Sequence, residues 1–263
     1  GWDLTLNHRN TIRKVKYDIA FTMSQQEDKW LDYGNESSVN PNLRRVGRSS
    51  MVWTMYEADG LFTSQEEIDN HKLNQDGQNN ATLAPGDIKY VDQNNDGVLD
   101  TNDLKYVKNS SNPKFNFGLK LGLSWKGLFF NALFQGATGY QQNIKEMYTL
   151  NSGSLQRFQE YHMEECWSEE NPDGTLPRVK FASANDNNRK ESTFWVRDCN
   201  FLRLKSLSLG YSFQPKVLKK MKLSSFSIAL QGSNLVTWSS LSDLGMDPES
   251  LRGYPVQRSY GVS

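Results

Sequence analysis

The stretch FNFGLKLGLSWKGLFFNALFQG, Phe115–Gly136, contains two segments of strand character on either side of the short turn Lys126-Gly127. In the first segment apolar residues take every second position from Phe115 to Trp125, with polar residues or glycine between them. Successive side chains of a β-strand point to opposite faces, so this period of two predicts a strand with one apolar face. The stretch therefore predicts two neighbouring strands that run in opposite directions.

The same period recurs along the chain. It is clear in Val15–Met23 and Phe226–Leu230, and shorter in Trp2–Leu6. In Phe201–Phe213 the apolar phase shifts by one residue, which predicts a β-bulge near Lys205-Ser206. The wall strands expected from these patterns are Trp2–Asn7, Val15–Ser24, Phe115–Trp125, Leu128–Gln135, Phe201–Phe213, Ser224–Val236 and a last strand from Val256 onward.

Connections between these strands alternate between short and long. Short turns are predicted near His8–Arg13, at Lys126-Gly127 and at Gln214–Lys222. Long polar excursions are predicted at about 25–113, 138–192 and 239–253, with Met51–Tyr56 inside the first excursion and Ser64 as the N-cap of a short helix. All short turns then lie at one end of the strands and all long loops at the other. That arrangement is typical of a transmembrane β-barrel.

The fold class predicted is therefore all-β: an antiparallel transmembrane β-barrel segment of about seven wall strands, with long extracellular loops that contain short helices. Aromatic residues agree with this, because Trp125, Tyr211 and Phe213 lie beside short turns and Trp238 lies at the opposite strand end. The alternative is a soluble β-sandwich, whose strands also alternate. In a barrel segment the apolar faces would form one continuous outward band, whereas in a sandwich they would face a second sheet.

Composition excludes several classes of function. The 263 residues carry 30 basic and 30 acidic side chains, so no net charge indicates a nucleic-acid partner. Hydrophobic content is 37%, whereas aromatic content is 12%. The two cysteines, Cys166 and Cys199, form no CxxC motif, and the three histidines form no cluster. There is no apolar run of about 18 residues and no signal peptide, and the sequence begins within an alternating pattern, as expected of a piece of a longer polypeptide.

Several motifs in a fixed order resemble the SusC/RagA family of TonB-dependent outer-membrane transporters, and the similarity covers nearly the whole chain. The motifs are GLFTSQEEID (Gly60–Asp69), the region Pro85–Gly136, NFLRLKSLSLGYSF (Asn200–Phe213), SNLVTWS (Ser233–Ser239), GMDPES (Gly245–Ser250) and GYPVQRSYGVS (Gly253–Ser263).

The resemblance implies a plugged barrel of about 22 strands in the cell outer membrane. It also implies a surface lipoprotein of the SusD type as partner, TonB acting through an amino-terminal plug, contact with outer-membrane lipid, and import of oligosaccharides or peptides. This sequence resembles the carboxy-terminal part of such a barrel, with the plug and TonB-box outside it. It departs from the family at Val262-Ser263, where family chains continue to a terminal phenylalanine.

The loop DQNNDGVLDTND, residues 92–103 within the excursion 26–113, has the spacing of an EF-hand calcium loop. Gly97 at its sixth position permits a sharp turn, and the twelfth position is aspartate where glutamate is usual. The sequence predicts a structural Ca²⁺ site, and the alternative is a solvated Asx-rich turn. The predicted ligands are Asp92, Asn94, Asp96, the carbonyl of Val98, Asp100 and Asp103.

No pattern in the sequence indicates an enzyme. The acid pairs Glu164-Glu165 and Glu169-Glu170 are expected to form a solvated face, and Lys216–Lys222 a solvated turn. Loop aromatics are expected to pack the loops more often than to stack on sugars; they are Trp30, Trp53, Tyr56, Tyr140, Tyr148 and Trp167. The alternatives to an importer are a soluble calcium-stabilised cell-surface glycan-binding module and, less favoured because there is one calcium loop, a dockerin-like docking module.

Overall fold

The computed structural model describes residues 1–36, 39–107, 110–145, 160–180, 186–251 and 256–263. The chain folds into two compact units. Within these residues the α-helices are α1 (Gln65–Asp69), α2 (Glu160–Glu165) and α3 (Pro215–Met221). The strands are β1 (Trp2–Ile12), β2 (Val15–Gln25), β3 (Thr54–Tyr56), β4 (Ala58–Leu61), β5 (Ile88–Tyr90), β6 (Leu104–Tyr106), β7 (Phe115–Trp125), β8 (Leu128–Thr138), β9 (Gln141–Asn143), β10 (Val196–Asp198), β11 (Phe201–Ser212), β12 (Ser227–Ser239) and β13 (Ser259–Val262).

Unit 1 comprises residues 1–27, 112–140 and 198–263 and is built on a seven-stranded antiparallel sheet. Its strand order is β1-β2-β7-β8-β11-β12-β13, so each wall strand pairs with the next wall strand along the chain. This confirms the prediction of seven antiparallel wall strands in an all-β fold. The strands alternate in direction, so the long connections all join strands at the same end of the sheet. These connections are residues 26–114, 139–200 and 240–258.

The two faces of the sheet differ in chemistry. Paired positions form continuous rows across the strands. One row on what we call the apolar face consists of Asn10 at its β1 end, followed by Tyr17, Leu123, Phe130, Leu209, Leu230 and Val262. The adjacent row, on what we call the polar face, consists of Arg9, Asp18, Gly122, Asn131, Ser208, Gln231 and Gly261.

Large side chains of the apolar face are exposed to solvent. Leu123, Leu209 and Leu230 are 47%, 51% and 60% exposed. In a β-sandwich these side chains would be buried against a second sheet. Their exposure favours the barrel-wall interpretation over the soluble sandwich.

The first predicted turn is wrong. The prediction placed it near His8–Arg13, but β1 continues to Ile12 and the turn is Arg13-Lys14, with Arg13 at φ 54°. The polar residues that suggested a turn lie on the strand, where Arg9 pairs with Asp18 and the His8 imidazole hydrogen-bonds the Tyr17 hydroxyl at 2.8 Å. A polar strand of this kind cannot be distinguished from a turn by hydropathy alone.

The predicted bulge is confirmed. The register of β11 shifts between Leu204 and Ser206 against both β8 and β12. Relative to β8, Lys205 is the extra residue, and the shift restores apolar side chains to the apolar face from Leu207 onward.

The second short turn is fixed by backbone conformation. Lys126 and Gly127 both have positive φ, 49° and 97°, as a two-residue hairpin turn requires. A Cβ on Gly127 would lie 2.6 Å from the Ser212 carbonyl oxygen. Glycine is therefore required here both by conformation and by the close approach of β11. The third short connection contains α3, and the C-cap residue that follows this helix, Lys222, has the left-handed conformation, φ 57°.

Unit 2 comprises Asp28–Ser111 and Gln141–Arg197, which are the first two long connections. It contains three two-stranded sheets, β3-β6, β4-β5 and β9-β10. The predicted exclusion of Met51–Tyr56 from the wall is confirmed, because β3 pairs with β6. A core cluster of Phe62, Ile68 and Leu83 packs beside α1, and the hydroxyl of Ser64 caps that helix by accepting from the Glu67 N–H at 3.2 Å.

Two further features bear on the predictions. Cys166 and Cys199 are not joined in a disulfide. Among the described helices, none combines the length and the apolar character that a membrane span requires.

Candidate functional site

The polar face of unit 1 offers two shallow grooves, each bounded by β1, β2, β7 and β8. Their volumes are 440 and 450 Å³. The first contains an ion pair between Arg9 Nε and Asp18 at 3.1 Å, and Asn131 lies beside it. The second is lined by Thr22, Asn116 and Gln135 among others. Charged and amide groups along a sheet whose other face is apolar give a surface suited to hydrated cargo or to a polar protein segment.

The predicted calcium loop in unit 2 is folded by its own side chains. Asp92 accepts the N–H groups of Asn95 at 2.6 Å and of Gly97 at 2.8 Å. Gly97 has φ 80°, so its position in the motif serves the sharp turn that was predicted. The first predicted ligand therefore acts as the acceptor that closes the start of the loop.

The third and fifth positions of the loop behave in the same way. Asn94 accepts the Asp96 N–H at 3.1 Å, and Asp96 accepts the Val98 N–H at 2.9 Å. The Asn94 amide also donates to Asp96 at 2.7 Å. These are Asx turns, which fold the loop locally and use one acceptor site of each side-chain oxygen.

The end of the loop forms a capping box. Asp100 is the N-cap of a 3₁₀ turn, Thr101–Asp103, and the Asp103 carboxylate accepts the Asp100 N–H at 2.9 Å. The other oxygen of Asp103 accepts the Gln93 N–H at 2.8 Å, and the residue is fully buried. Asp103 thus ties the two ends of the loop together.

These side chains are arranged as turn and cap acceptors. Within the described residues, no group of three or more Asp, Glu, His or Cys side chains is placed to hold a metal ion. The Asp103 carboxylate accepts one N–H donor on each oxygen, and each oxygen retains a second acceptor site. Calcium binding at Asp92–Asp103 stays a prediction.

A second polar segment, which the sequence patterns did not reveal, pairs with this loop. The Asn74 N–H donates to the Gly97 carbonyl at 2.9 Å, and the Asn74 carbonyl accepts from the Leu99 N–H at 3.2 Å. Close by, Asp76 accepts three backbone N–H groups, including those of Gln78 and Asn80. The repeated Asn and Asp residues of 74–80 are the sequence feature from which this polar segment could have been predicted.

The loop also influences a neighbouring tyrosine. Burial, and then the negative charges of Asp103 and Asp100, raise the pKa of Tyr56 above its usual value. Beside it, hydrogen bonds from Lys105 and Gln93 hold the pKa of Glu57 below its ordinary value although burial opposes this. Tyr56 therefore stays protonated next to a negatively charged loop.

A buried carboxylate links the two chain segments of unit 2. Asp87 is fully buried and receives a bidentate pair from Arg178, at 2.8 and 3.0 Å. Lys180 lies 3.3 Å from it, and the Asn188 amide donates to it at 2.8 Å. Because the partners come from residues 141–197, this cluster joins the first long connection to the second. It is a structural centre that sequence spacing did not indicate.

The remaining predicted residues do not gather into a site. Glu164 and Glu165 lie on α2, whereas Glu169 and Glu170 follow it in a turn. Burial raises the pKa of the neighbouring Cys166 thiol to about 11. Trp30 is exposed, whereas Tyr140 is buried. Tyr148 and residues 253–255 of the last motif lie outside the described residues.

Comparison with known proteins identifies relatives of this chain. No family model matches it. TonB-dependent receptor P26 of Formosa agariphila is 31% identical over 95% of this chain and 25% of its own length. TonB-dependent receptor P3 of the same organism is 26% identical over 95% of this chain and 25% of its own length. The chain is a homologue of the TonB-dependent receptors. It spans about a quarter of the length of these curated relatives.

Solved structures agree on the fold of this receptor segment. The RagAB peptide transporter matches with a TM-score of 0.65 and 21% identity, over 99% of this chain and 28% of that chain. The RagAB peptide importer in its "open-open" state matches with a TM-score of 0.65 and 22% identity, over 99% of this chain and 27% of that chain. The resemblance to the SusC/RagA transporters is confirmed. These relatives are named as receptors and transporters, not as enzymes.

Proposed function

We propose that this receptor segment is part of the wall of an outer-membrane β-barrel and its extracellular loops, in a TonB-dependent importer. The observation that carries the proposal is the seven-stranded sheet with one exposed apolar face and one polar face. Lipid would cover the apolar face, and the polar face would line the interior of a barrel closed by further strands. Homology to TonB-dependent receptors supports the same placement.

Short turns are periplasmic in such barrels. The two segments of unit 2 connect strands at the opposite end of the sheet from the short turns, so unit 2 is proposed to lie outside the cell. A SusD-like lipoprotein is its proposed partner, and TonB would act through a plug elsewhere in the protein. The proposed cargo is an oligosaccharide or a peptide. The RagAB resemblance supports the peptide class, and growth of a deletion strain on peptides or on oligosaccharides as sole nutrient separates the two.

Two neighbouring substitutions in the full-length receptor test the wall proposal. Leu209→Arg places a charge on the apolar face, and at the middle of a bilayer this costs about 2–4 kcal/mol. Ser208→Arg, the matched control, places the same charge on the polar face. Leu209→Arg should reduce the folded, heat-modifiable receptor in outer-membrane fractions, whereas Ser208→Arg should not. The opposite ranking would rule out a lipid-covered apolar face.

The loop Asp92–Asp103 is proposed to bind one structural Ca²⁺ through the six predicted ligands. Its spacing and the positive φ of Gly97 support the proposal. Asp103 accepts one N–H donor on each carboxylate oxygen, so each oxygen has a second acceptor site for the ion. An ion would neutralise clustered carboxylates and stiffen unit 2 for docking.

A further inference from the structure

The third long connection of unit 1 folds back onto the sheet. We call residues 240–251 the strap. Leu241 is fully buried and belongs to a cluster with Ala137, Tyr140, Cys199 and Phe201. The strap side chains Leu244, Met246 and Leu251 pack against the same cluster. Ala137 and Phe201 are paired in the register, so the strap covers the ends of β8 and β11 that lead into the long connections.

The face that the strap covers is the polar face. Arg203 follows Phe201 by two residues, and the register places it between Gln135 of β8 and Thr237 of β12. The Phe201 and Arg203 side chains therefore lie on the same side of the sheet as Ser208 and Asn131. The strap thus occupies space over the surface that the proposed function assigns to the barrel interior.

Arg203 joins the sheet to the strap. The residue is fully buried, and its Nη2 lies 2.7 and 2.8 Å from the two carboxylate oxygens of Asp247. Its Nη1 lies 2.5 Å from a Glu249 oxygen, and its Nε donates to the Thr237 hydroxyl at 2.9 Å. The Gln135 amide donates to the other Glu249 oxygen at 3.2 Å. Two strap carboxylates therefore balance one buried cation of the sheet.

Asp247 also shapes the strap itself. Its carboxylate accepts the N–H groups of Glu249 at 2.9 Å and of Val256 at 3.3 Å. Burial alone would raise the pKa of Asp247, but Arg203 and these N–H donors hold it below its usual value. The carboxylate is thus ionised at neutral pH, and one residue fixes both the fold of the strap and its attachment.

We propose that Arg203 is a positioning residue that holds the strap against the polar face, and that the strap narrows the translocation path. The path itself rests on the proposed function. Removing Arg203 would leave two carboxylates in a partly buried site without their cation, a situation that strongly destabilises folded proteins. The strap would then leave the sheet and uncover the cluster beneath it.

Cys199 is a native reporter of strap position, because it is fully buried in the cluster that the strap covers. In the full-length receptor, the rate at which a maleimide labels Cys199 is measured in detergent by mass spectrometry of the peptide that contains it. Arg203→Gln should raise this rate by about tenfold or more, since the loss of a buried ion pair shifts such an equilibrium by at least that factor. Arg203→Lys, which keeps the charge but loses the bidentate fork, should give a smaller increase.

Lys205→Gln is the matched control. Lys205 is the bulge residue two positions after Arg203, and its Nζ lies 3.6 Å from a Glu249 carboxylate oxygen. This variant therefore removes an adjacent positive charge and leaves the ion pairs of Arg203 intact. Its labelling rate should equal that of the parent. Heat-modifiable mobility on gels shows that each variant is folded. A folded Arg203→Gln receptor with protected Cys199, or equal labelling in Arg203→Gln and Lys205→Gln, would overturn the positioning role.

The constriction is tested in intact cells that carry the full-length receptor with Asn131→Cys, a target on the polar face. A maleimide attached to a large polyethylene glycol is added outside the cells, and its labelling of that cysteine is measured relative to labelling by a small impermeant maleimide. Arg203→Gln should raise this ratio at least fourfold, and Lys205→Gln should leave it unchanged. Rapid labelling of Cys199 with an unchanged ratio would overturn the claim that the strap narrows the path. The labelling measurement needs no transport, so its failure leaves the importer proposal standing, whereas the Leu209→Arg and Ser208→Arg pair tests that proposal separately.

Discussion

Asp103 illustrates how one residue can satisfy a motif in sequence and take a different role in the fold. The twelfth position of the loop was predicted as the closing ligand of a calcium site. In the structure its carboxylate is fully buried and accepts the N–H groups of Gln93 and Asp100. Each oxygen retains a second acceptor site, so these two hydrogen bonds do not by themselves exclude a cation. Neither partner is predictable from spacing alone, because both depend on how the ends of the loop meet.

The calcium proposal is tested by calorimetry on the full-length receptor in detergent. Titration with Ca²⁺ should give a binding isotherm, and Asp96→Ala should abolish it because a central carboxylate ligand is lost. Asp69→Ala, on α1 outside the loop, is the control and should bind as the parent does. Absence of calcium-dependent heat in the parent would leave the loop as a polar turn held by its own N–H bonds.

The ion pairs between residues far apart in the chain were not predicted from the sequence. Asp87 and Arg178 are 91 positions apart, and Arg203 and Asp247 are 44 positions apart. Each of these residues has a local sequence that resembles an ordinary strand or loop. Ser64, by contrast, was predicted as an N-cap because capping involves neighbours only three positions away.

At the scale of the strands, glycines opposite aromatic rings fit neighbouring strands together. A Cβ on Gly136 would collide with the Phe117 ring and lie 2.6 Å from the Phe201 carbonyl oxygen. A Cβ on Gly210 would collide with the Phe129 ring and lie 2.6 Å from the Ile228 carbonyl oxygen. The rings cover the backbone that these glycines leave open, which is a known way to stabilise glycine in a sheet.

Gly136→Ala should therefore destabilise the receptor by about 1–3 kcal/mol, because the Phe117 ring and β11 must both move. Thermal unfolding of the full-length receptor in detergent measures this as a lower midpoint. Gly122→Ala is the control within the same sheet. Its new methyl group would meet Asn131 Oδ1 at 3.3 Å and the Asp18 Cβ at 3.5 Å, so a small side-chain shift suffices. Equal midpoints for the two variants would contradict the packing argument.

Strand prediction succeeded where alternation was strong. Phe115–Trp125 was predicted with both ends correct, and the bulge in β11 was located from a shift of one residue in the apolar phase. It failed where both faces are polar, as in β1 beyond Asn7. The period of two reports which side chains face an apolar environment, so a strand segment without such side chains gives no signal.

At the scale of the whole chain, the sheet has two open edges, β1 and β13, and an exposed apolar face. Both features promote association in water. The 263-residue segment produced alone should therefore aggregate or require detergent, as size-exclusion chromatography with light scattering would reveal. A soluble, monodisperse and folded monomer would contradict the barrel-wall proposal and favour the soluble module.

The sequence by itself determined the seven alternating strands, their antiparallel order and the end of the sheet from which the long connections leave. These follow from a local property, since a strand places successive side chains on opposite faces whatever lies far away. Only the tertiary structure decided that Asp28–Ser111 and Gln141–Arg197 form one compact unit, that Asp103 is a buried cap, and that Arg203 holds the strap. Those contacts join residues tens of positions apart, and they arise from strand register and loop closure, for which no short-range pattern exists.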